Sequence, residues 1–349
     1  MRVLHVDSAR EWRGGQVQLL QLAMSQAEHD EVAMAMPSDS ALLPAGRRAG
    51  LRVFPVPFRG ALRGTAALRS AASAWEPELL AAHTPHALTH ALRLGLPVVA
   101  HRRVDFVPRW WGASRLRAAA GVIAVSEAVR SILLQRGVRR VTVVPDGVAD
   151  PAPSSADPRR ANGLVDVPLL VSVGALVPHK GHAVLVEALT RLPGVHVVVL
   201  GEGPQRRLLE DRAARCGIAH RVHWLGQRSD VAEWRAVADV VVHPSLQEGL
   251  GQAVIEALLQ GCAVVATAAG GIPEAIADRG VLVAPGDAVA LAHGIERALQ
   301  GRDALQSSAT TARAALRARF GVAQLVAGTR AAYAGFLQAA SPIPSAARE

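Results

Sequence analysis

"VVVHPSLQEGLGQAVIEALLQGCAVVATAAGG", residues 240–271, runs through a β-branched strand, a glycine-interrupted loop, an apolar helix and a second strand. A buried strand feeding a helix that returns to another buried strand is the building unit of a parallel sheet. Two carboxylates complicate the stretch, because Glu248 stands in the loop and Glu256 inside the helix. Neither core packing nor a metal cage explains a helix start bracketed in that way.

The alternation extends in both directions. Strands are expected at 2–6, 31–36, 52–56, 78–83, 97–101, 121–125 and 141–145, then at 169–175, 195–201, 221–226, 240–245, 263–267 and 281–285. Alanine- and leucine-rich helical stretches separate them, which implies α/β architecture with parallel sheets covered on both faces. Two such sets fit two doubly wound, Rossmann-like domains facing an interdomain cleft better than one large sheet. "ADPAPSSADPRRANG" (149–163) holds three prolines and reads as the linker, its later part helical. The expected domains are therefore 1–150 and 151–319. An amphipathic helix over 320–340 follows, packing back toward the N-terminal domain, and then a frayed tail over 341–349.

Of the 349 residues, 50% are hydrophobic and 19% charged, so sizeable cores are available. Cys216 and Cys262 form no CxxC pair, which removes a disulfide framework and points to a reducing compartment. No charged-then-apolar leader precedes Val3 and no run long enough to span a bilayer appears; a cytoplasmic protein is expected. The formal charge of +9 favours an anionic partner, whether nucleic acid, a phosphorylated ligand or an anionic membrane face. Among the 38 basic residues, Lys180 is the one lysine. In so arginine-rich a chain, a compact ammonium at a strand-to-helix connection marks the site as unusual.

Ligands of open α/β sheets bind beyond the carboxyl ends of the strands, and three loops there stand out. In "VDSAREWRGGQVQLLQLA" (6–23), Gly14 and Gly15 open a helix and let amides approach an anion, although such a pair also serves as a plain turn. In "SVGALVPHKGHAVLVEAL" (172–189), Lys180 and Gly181 stand at a helix start; a surface lysine is the plainer alternative. In the opening stretch, the amides of Gly249, Leu250 and Gly251 lie beside Glu248. A carboxylate there is unfavourable for phosphate and suits hydroxyls. Two carboxylates at two depths suit the hydroxyls of two sugars.

"PSLQEGLGQAVIEALLQGCAVVATAAGGIPEAI" (244–276) resembles the signature of glycosyltransferase family 4, retaining enzymes of the GT-B fold, with its E-x7-E pattern at Glu248 and Glu256. "VIAVSEAV" (122–129), "VVPDGV" (143–148), "VGALVPHKG" (173–181), "VLGEGP" (199–204) and "HWLG" (223–226) extend the likeness over nearly the whole chain. The resemblance implies a hexosyltransferase-like enzyme. Its donor would be a nucleotide-sugar, its acceptor a cell-envelope or lipid-linked glycan such as a lipopolysaccharide core, and no metal or other cofactor would be needed. It implies that Glu248 contacts the donor sugar, Glu256 the nucleotide ribose, and the Gly249–Gly251 amides the diphosphate. Lys180 would neutralise the leaving group, Gly14 and Gly15 would close over it, and His101 would lie near the reacting sugar. Base contacts would come from backbone around Gly226 and Gln227. The chain departs from the family at Ala175, where many members carry an arginine; Arg102, Arg103 or Arg13 are the candidates to replace it.

"AHRRVDFVPRWWGASRLRAAAG" (100–121) gathers Arg102, Arg103, Arg109, Arg115 and Arg117 with Phe106, Trp110 and Trp111, in a chain with 3% aromatics. Two readings stand: an acceptor-side surface for phosphorylated lipid or anionic membrane, or a helix with buried tryptophans and a solvated arginine face. His5 is expected in the core. His83, His86 and His90 lack the carboxylate or cysteine that a metal site needs. "GEGPQR" (201–206) lacks the third glycine of a dinucleotide fingerprint, which excludes NAD. Nucleic acid rests on charge alone and is not expected. A GT-B sugar-nucleotide epimerase and a silent nucleotide-sugar-binding protein remain as alternatives.

Overall fold

The computed structural model describes residues 1–150 and 157–340. Of the expected linker, residues 151–156 lie outside the described residues, as does the whole expected tail. The described chain resumes with a short helix, Pro158–Ala161, whose first turn is capped by Asp157 accepting from the Arg160 amide at 3.0 Å. The chain forms two compact units, Met1–Gly147 with the segment from Val322, and Val148–Gly321.

The first unit holds β1 (Arg2–Val6), β2 (Glu31–Met36), β3 (Arg52–Pro55), β4 (Leu79–Ala82), β5 (Val98–Arg102), β6 (Gly121–Ala124) and β7 (Val141–Val143). They form one sheet in the order β3-β2-β1-β4-β5-β6-β7, with every pair parallel. Near-continuous apolar strands such as "LLAA" in β4 are buried throughout because helices cover both faces. The C-terminal helix Val322–Ala340 belongs to this unit, packing Leu325, Tyr333 and Phe336 against Val3, Leu79 and Val99. Gly121 lies under the Phe336 ring, where a Cβ would overlap it. Truncating Phe336 to alanine would cost about 3–5 kcal/mol. The helix expected from 320 begins at Val322, because Phe320 closes the preceding helix and Gly321 is extended.

The second unit holds β8 (Leu169–Val173), β9 (His196–Leu200), β10 (Val222–Gly226), β11 (Val240–His243), β12 (Val264–Thr267) and β13 (Val281–Val283). Its parallel order is β10-β9-β8-β11-β12-β13. Strand order reverses between β8 and β11, where Leu170 faces Val240 and Val171 faces Val241. The corresponding reversal in the first unit lies between β1 and β4. Crevices at the carboxyl ends of such neighbours are where doubly wound sheets receive ligands.

Candidate active site

Lys180 and Glu248 reach the switch point of the second unit from its two sides. After β8 the chain forms a tight 3-10 turn, Pro178–Lys180, and leaves it through Gly181 at φ +69°. A Cβ on Gly181 would overlap the Pro244 carbonyl, so glycine is required both by its backbone angle and by close packing. The loop after β11 is tied to the same turn, Leu246 donating its amide to the His179 carbonyl at 2.8 Å. The glutamate loop is held further along by the Gly271 amide on the Glu248 carbonyl at 3.2 Å.

These ties bring the Lys180 ammonium to 2.5 Å from Glu248 Oε2. The same oxygen accepts from His243 Nε2 at 2.9 Å and Ser245 Oγ at 3.2 Å. An ionised carboxylate only accepts, so His243 carries a proton on Nε2. Burial alone would raise the Glu248 carboxyl, but the His243 hydrogen bond and the Lys180 charge outweigh it and hold it well below the usual carboxylate range. His182, first residue of the helix His182–Leu189, lies beside Gly174 and is buried with no hydrogen-bond partner on either ring nitrogen. Burial, with the nearby His243 and Lys180 charges, pushes it down to about 3, so its ring is neutral.

Glu256 sits one turn into the helix Gln252–Gln260, which opens at Gly251 (φ +90°) with no side-chain cap and no acidic residue in its first turn. That end is suited to an anion. The Glu256 carboxylate is itself preset: Arg235, buried, donates to Oε2, and Gln252 donates to Oε1 at 3.2 Å. Gly226 closes β10 at φ +71°, with the Glu202 carboxylate in the space a Cβ would take, and Gln227 beyond it is exposed. Leu250 is buried with Gly249 and Gly251 in the loop. Sequence reasoning missed His243, Ser245, His182 and Arg235. Two of these flank Pro244 at the carboxyl end of a strand, a position that itself marks candidates for ligand work.

In the first unit, Gly14 and Gly15 open the helix Gly14–Gln26 with no side-chain cap, and a Cβ on Gly15 would meet nothing within 4 Å. His101 is buried, stacked on His83 at 4.3 Å between centroids, with Nε2 2.7 Å from the Tyr333 hydroxyl. A directed chain of hydrogen bonds runs from Arg103 to His83 Nδ1 (2.9 Å), from His83 Nε2 to His5 Nδ1 (2.9 Å), and from His5 Nε2 to Gln26 Oε1 (3.1 Å). A guanidinium only donates, and burial foremost keeps all these imidazoles neutral, so each tautomer follows from the one before it. His86 and His90 stand apart from this chain, bonded to each other at 3.2 Å, with His90 also on Thr65 at 2.9 Å.

Arg103 is a correction to the expected acceptor-side surface. It is drawn inward by Asp146 at 2.8 Å and by His83 at 2.9 Å. Arg13 pairs with Glu11. Arg102 donates to the Phe106 carbonyl of its own loop. Arg109, Trp110, Trp111 and Arg115 are exposed, which excludes the reading with buried tryptophans.

Two parallel, doubly wound sheets of seven and six strands give the chain the GT-B fold. The family description "Glycosyltransferase Family 4" matches residues 12–150 and "Glycosyl transferases group 1" matches residues 156–315. The chain belongs to glycosyltransferase family 4. It is 37% identical over 134 residues to the lipopolysaccharide core biosynthesis glycosyltransferase LpsE of Rhizobium meliloti, covering 38% of this chain and 39% of that protein. It is 29% identical over 242 residues to the 2-deoxystreptamine glucosyltransferase of Streptomyces kanamyceticus, covering 64% of this chain and 62% of that one. The match thus spans less than two thirds of either relative's length. The solved structure of Anabaena HepE in complex with UDP-glucose superposes with a TM-score of 0.87 at 24% identity, covering 96% of this chain and all of that one. At that identity the likeness concerns the fold.

Proposed function

We propose that the chain transfers a sugar from a nucleotide-sugar donor to a hydroxyl of a cell-envelope or lipid-linked glycan, with retention at the anomeric carbon and without a metal ion. The carrying observation is the Lys180–Glu248 pair at the β8/β11 switch point, with the uncapped Gln252–Gln260 helix start beside the same loop. Breaking the bond between the anomeric carbon and the diphosphate leaves an electron pair on phosphate oxygen. The Lys180 ammonium and the loop amides from Gly249 to Gly251 are donors of the kind that stabilise such charge. Glu248, ionised by His243 and Lys180, accepts from donor-sugar hydroxyls, and Glu256, oriented by Arg235, accepts from the ribose. The acceptor oxygen forms the new bond to the anomeric carbon, and its proton is taken up by the departing diphosphate.

The HepE complexes make UDP-glucose the first donor to try, and the LpsE likeness makes a lipopolysaccharide core the first acceptor. The test incubates the protein with a panel of nucleotide sugars and follows thermal shift and diphosphate release with and without acceptor. Transfer requires release that depends on the acceptor, an unchanged anomeric configuration by NMR, and insensitivity to a chelator. Sugar inversion without acceptor would instead identify an epimerase, and a shift without turnover a binding protein.

A further inference from the structure

The stretch after β5 is unusual in what it leaves in solvent. Among the described residues, five of the thirteen exposed large apolar side chains fall within positions 104–111: Val104, Phe106, Val107, Trp110 and Trp111. Trp110 is 73% exposed and Val107 54%, whereas the helix Trp110–Ala118 is anchored by Ala113 and Leu116 alone. The indoles meet edge to face at 5.6 Å, and the Arg109 guanidinium lies 5.4 Å from the Trp111 ring centre. Arg115 and Arg117 are exposed further along the helix, and Asp105 is the one carboxylate between 102 and 117. A contiguous apolar exposure of this kind on a soluble unit marks a contact surface.

The geometry points to an anionic bilayer surface as the occupant. Indoles with valine and phenylalanine beside them suit the boundary between headgroups and acyl chains, while arginines on the same projection reach lipid phosphates. A glycan stacks on tryptophan faces but makes no use of Val104 or Val107, and a second copy would bring the same cations face to face. No helix among the described residues is long and apolar enough to cross a membrane, so the contact is peripheral. The stretch leaves β5 at Arg102, on the carboxyl edge of its sheet, so the edge suited to ligands is the one held at the lipid surface. This inference does not depend on the transfer reading, because its assay contains neither donor nor acceptor.

The full chain is sedimented with vesicles of phosphatidylglycerol and phosphatidylcholine in equal parts, or of phosphatidylcholine alone. The protein is expected to sediment with the anionic vesicles only and to be released in part by high salt. Arg109→Gln with Arg115→Gln should weaken partitioning about thirtyfold, from roughly fivefold for each cation. Trp110→Ser with Trp111→Ser should abolish it, while both variants melt as the parent does. Absence of vesicle binding by the parent overturns the inference. So do undiminished binding by both variants, a patch-dependent dimer in place of vesicle binding, or patch-dependent capture of a single-stranded oligonucleotide without vesicle binding.

Discussion

Lys180, 68 positions before Glu248 in the chain, sets its ammonium 2.5 Å from Oε2 of that carboxylate, the oxygen that His243 and Ser245 also engage. Burying two charges costs about as much as their attraction returns, so such a pair is a poor device for stability alone. Its place at the reversal of strand order is where doubly wound sheets receive ligands, and the proposed role of the pair is tested residue by residue.

Lys180→Ala is expected to lower kcat/KM by roughly 10²-fold or more, the loss typical of one donor aimed at developing charge. Lys180→Arg keeps the charge but not the compact ammonium, and should recover only part of the rate. Diphosphate release under saturating acceptor reads both. A folded alanine variant with parental turnover would remove the lysine from the reaction.

The two glycine sites should part company. Gly181→Ala forces a Cβ into the Pro244 carbonyl at a left-handed backbone angle, and should unfold the second unit or lower its melting midpoint sharply. Gly15→Ala meets nothing within 4 Å in a helical first turn, and should stabilise by about 0.5–1 kcal/mol. If Gly15 serves close approach of an anion, turnover falls even as stability rises. Calorimetry beside a donor titration separates the two effects.

His243→Leu removes the N–H that helps keep Glu248 ionised, at a cost of about 1–3 kcal/mol. His243→Gln retains a donor and is expected to recover most of that loss. Equal melting midpoints for parent and leucine variant would show that the hydrogen bond is dispensable.

Stability should fall as pH falls from neutrality. Burial foremost holds His5 at about 4 in the first unit and His182 at about 3 in the second. Unfolded histidines titrate near 6.5, so below that value the unfolded chain binds protons that the folded chain refuses. Each of the two groups then costs about 2 kcal/mol at pH 5, and His83 and His101 act in the same direction. The depressed Glu248 carboxyl works in a lower window, its contribution being lost only as pH drops below about 4.3. Denaturant midpoints unchanged between pH 7 and pH 5 would contradict neutral buried imidazoles.

Every strand was legible from its short apolar run, β-branched in most but only leucine and alanine in β4, because burial on both faces leaves little room for polar residues. Strand ends were less so: β11 stops at His243 because Pro244 has no N–H for the ladder. Lys180, Glu248 and Glu256 stood out by type and spacing. The Arg235–Glu256 and Arg103–Asp146 pairs did not, because their partners lie 21 and 43 positions apart and only the folded chain brings them together. In an arginine-rich sequence, no local signal separates an inward arginine such as Arg103 from the exposed Arg109 beside the same loop.

Apart from the chain's amino terminus, the molecule offers amine-directed reagents a single target, and that target is partly open to solvent yet clasped by Glu248. Side-chain acylation of this protein is therefore a one-site chemistry. Its rate reports directly on what lies against the Lys180 nitrogen, so a bound pyrophosphate would announce itself as protection from the label.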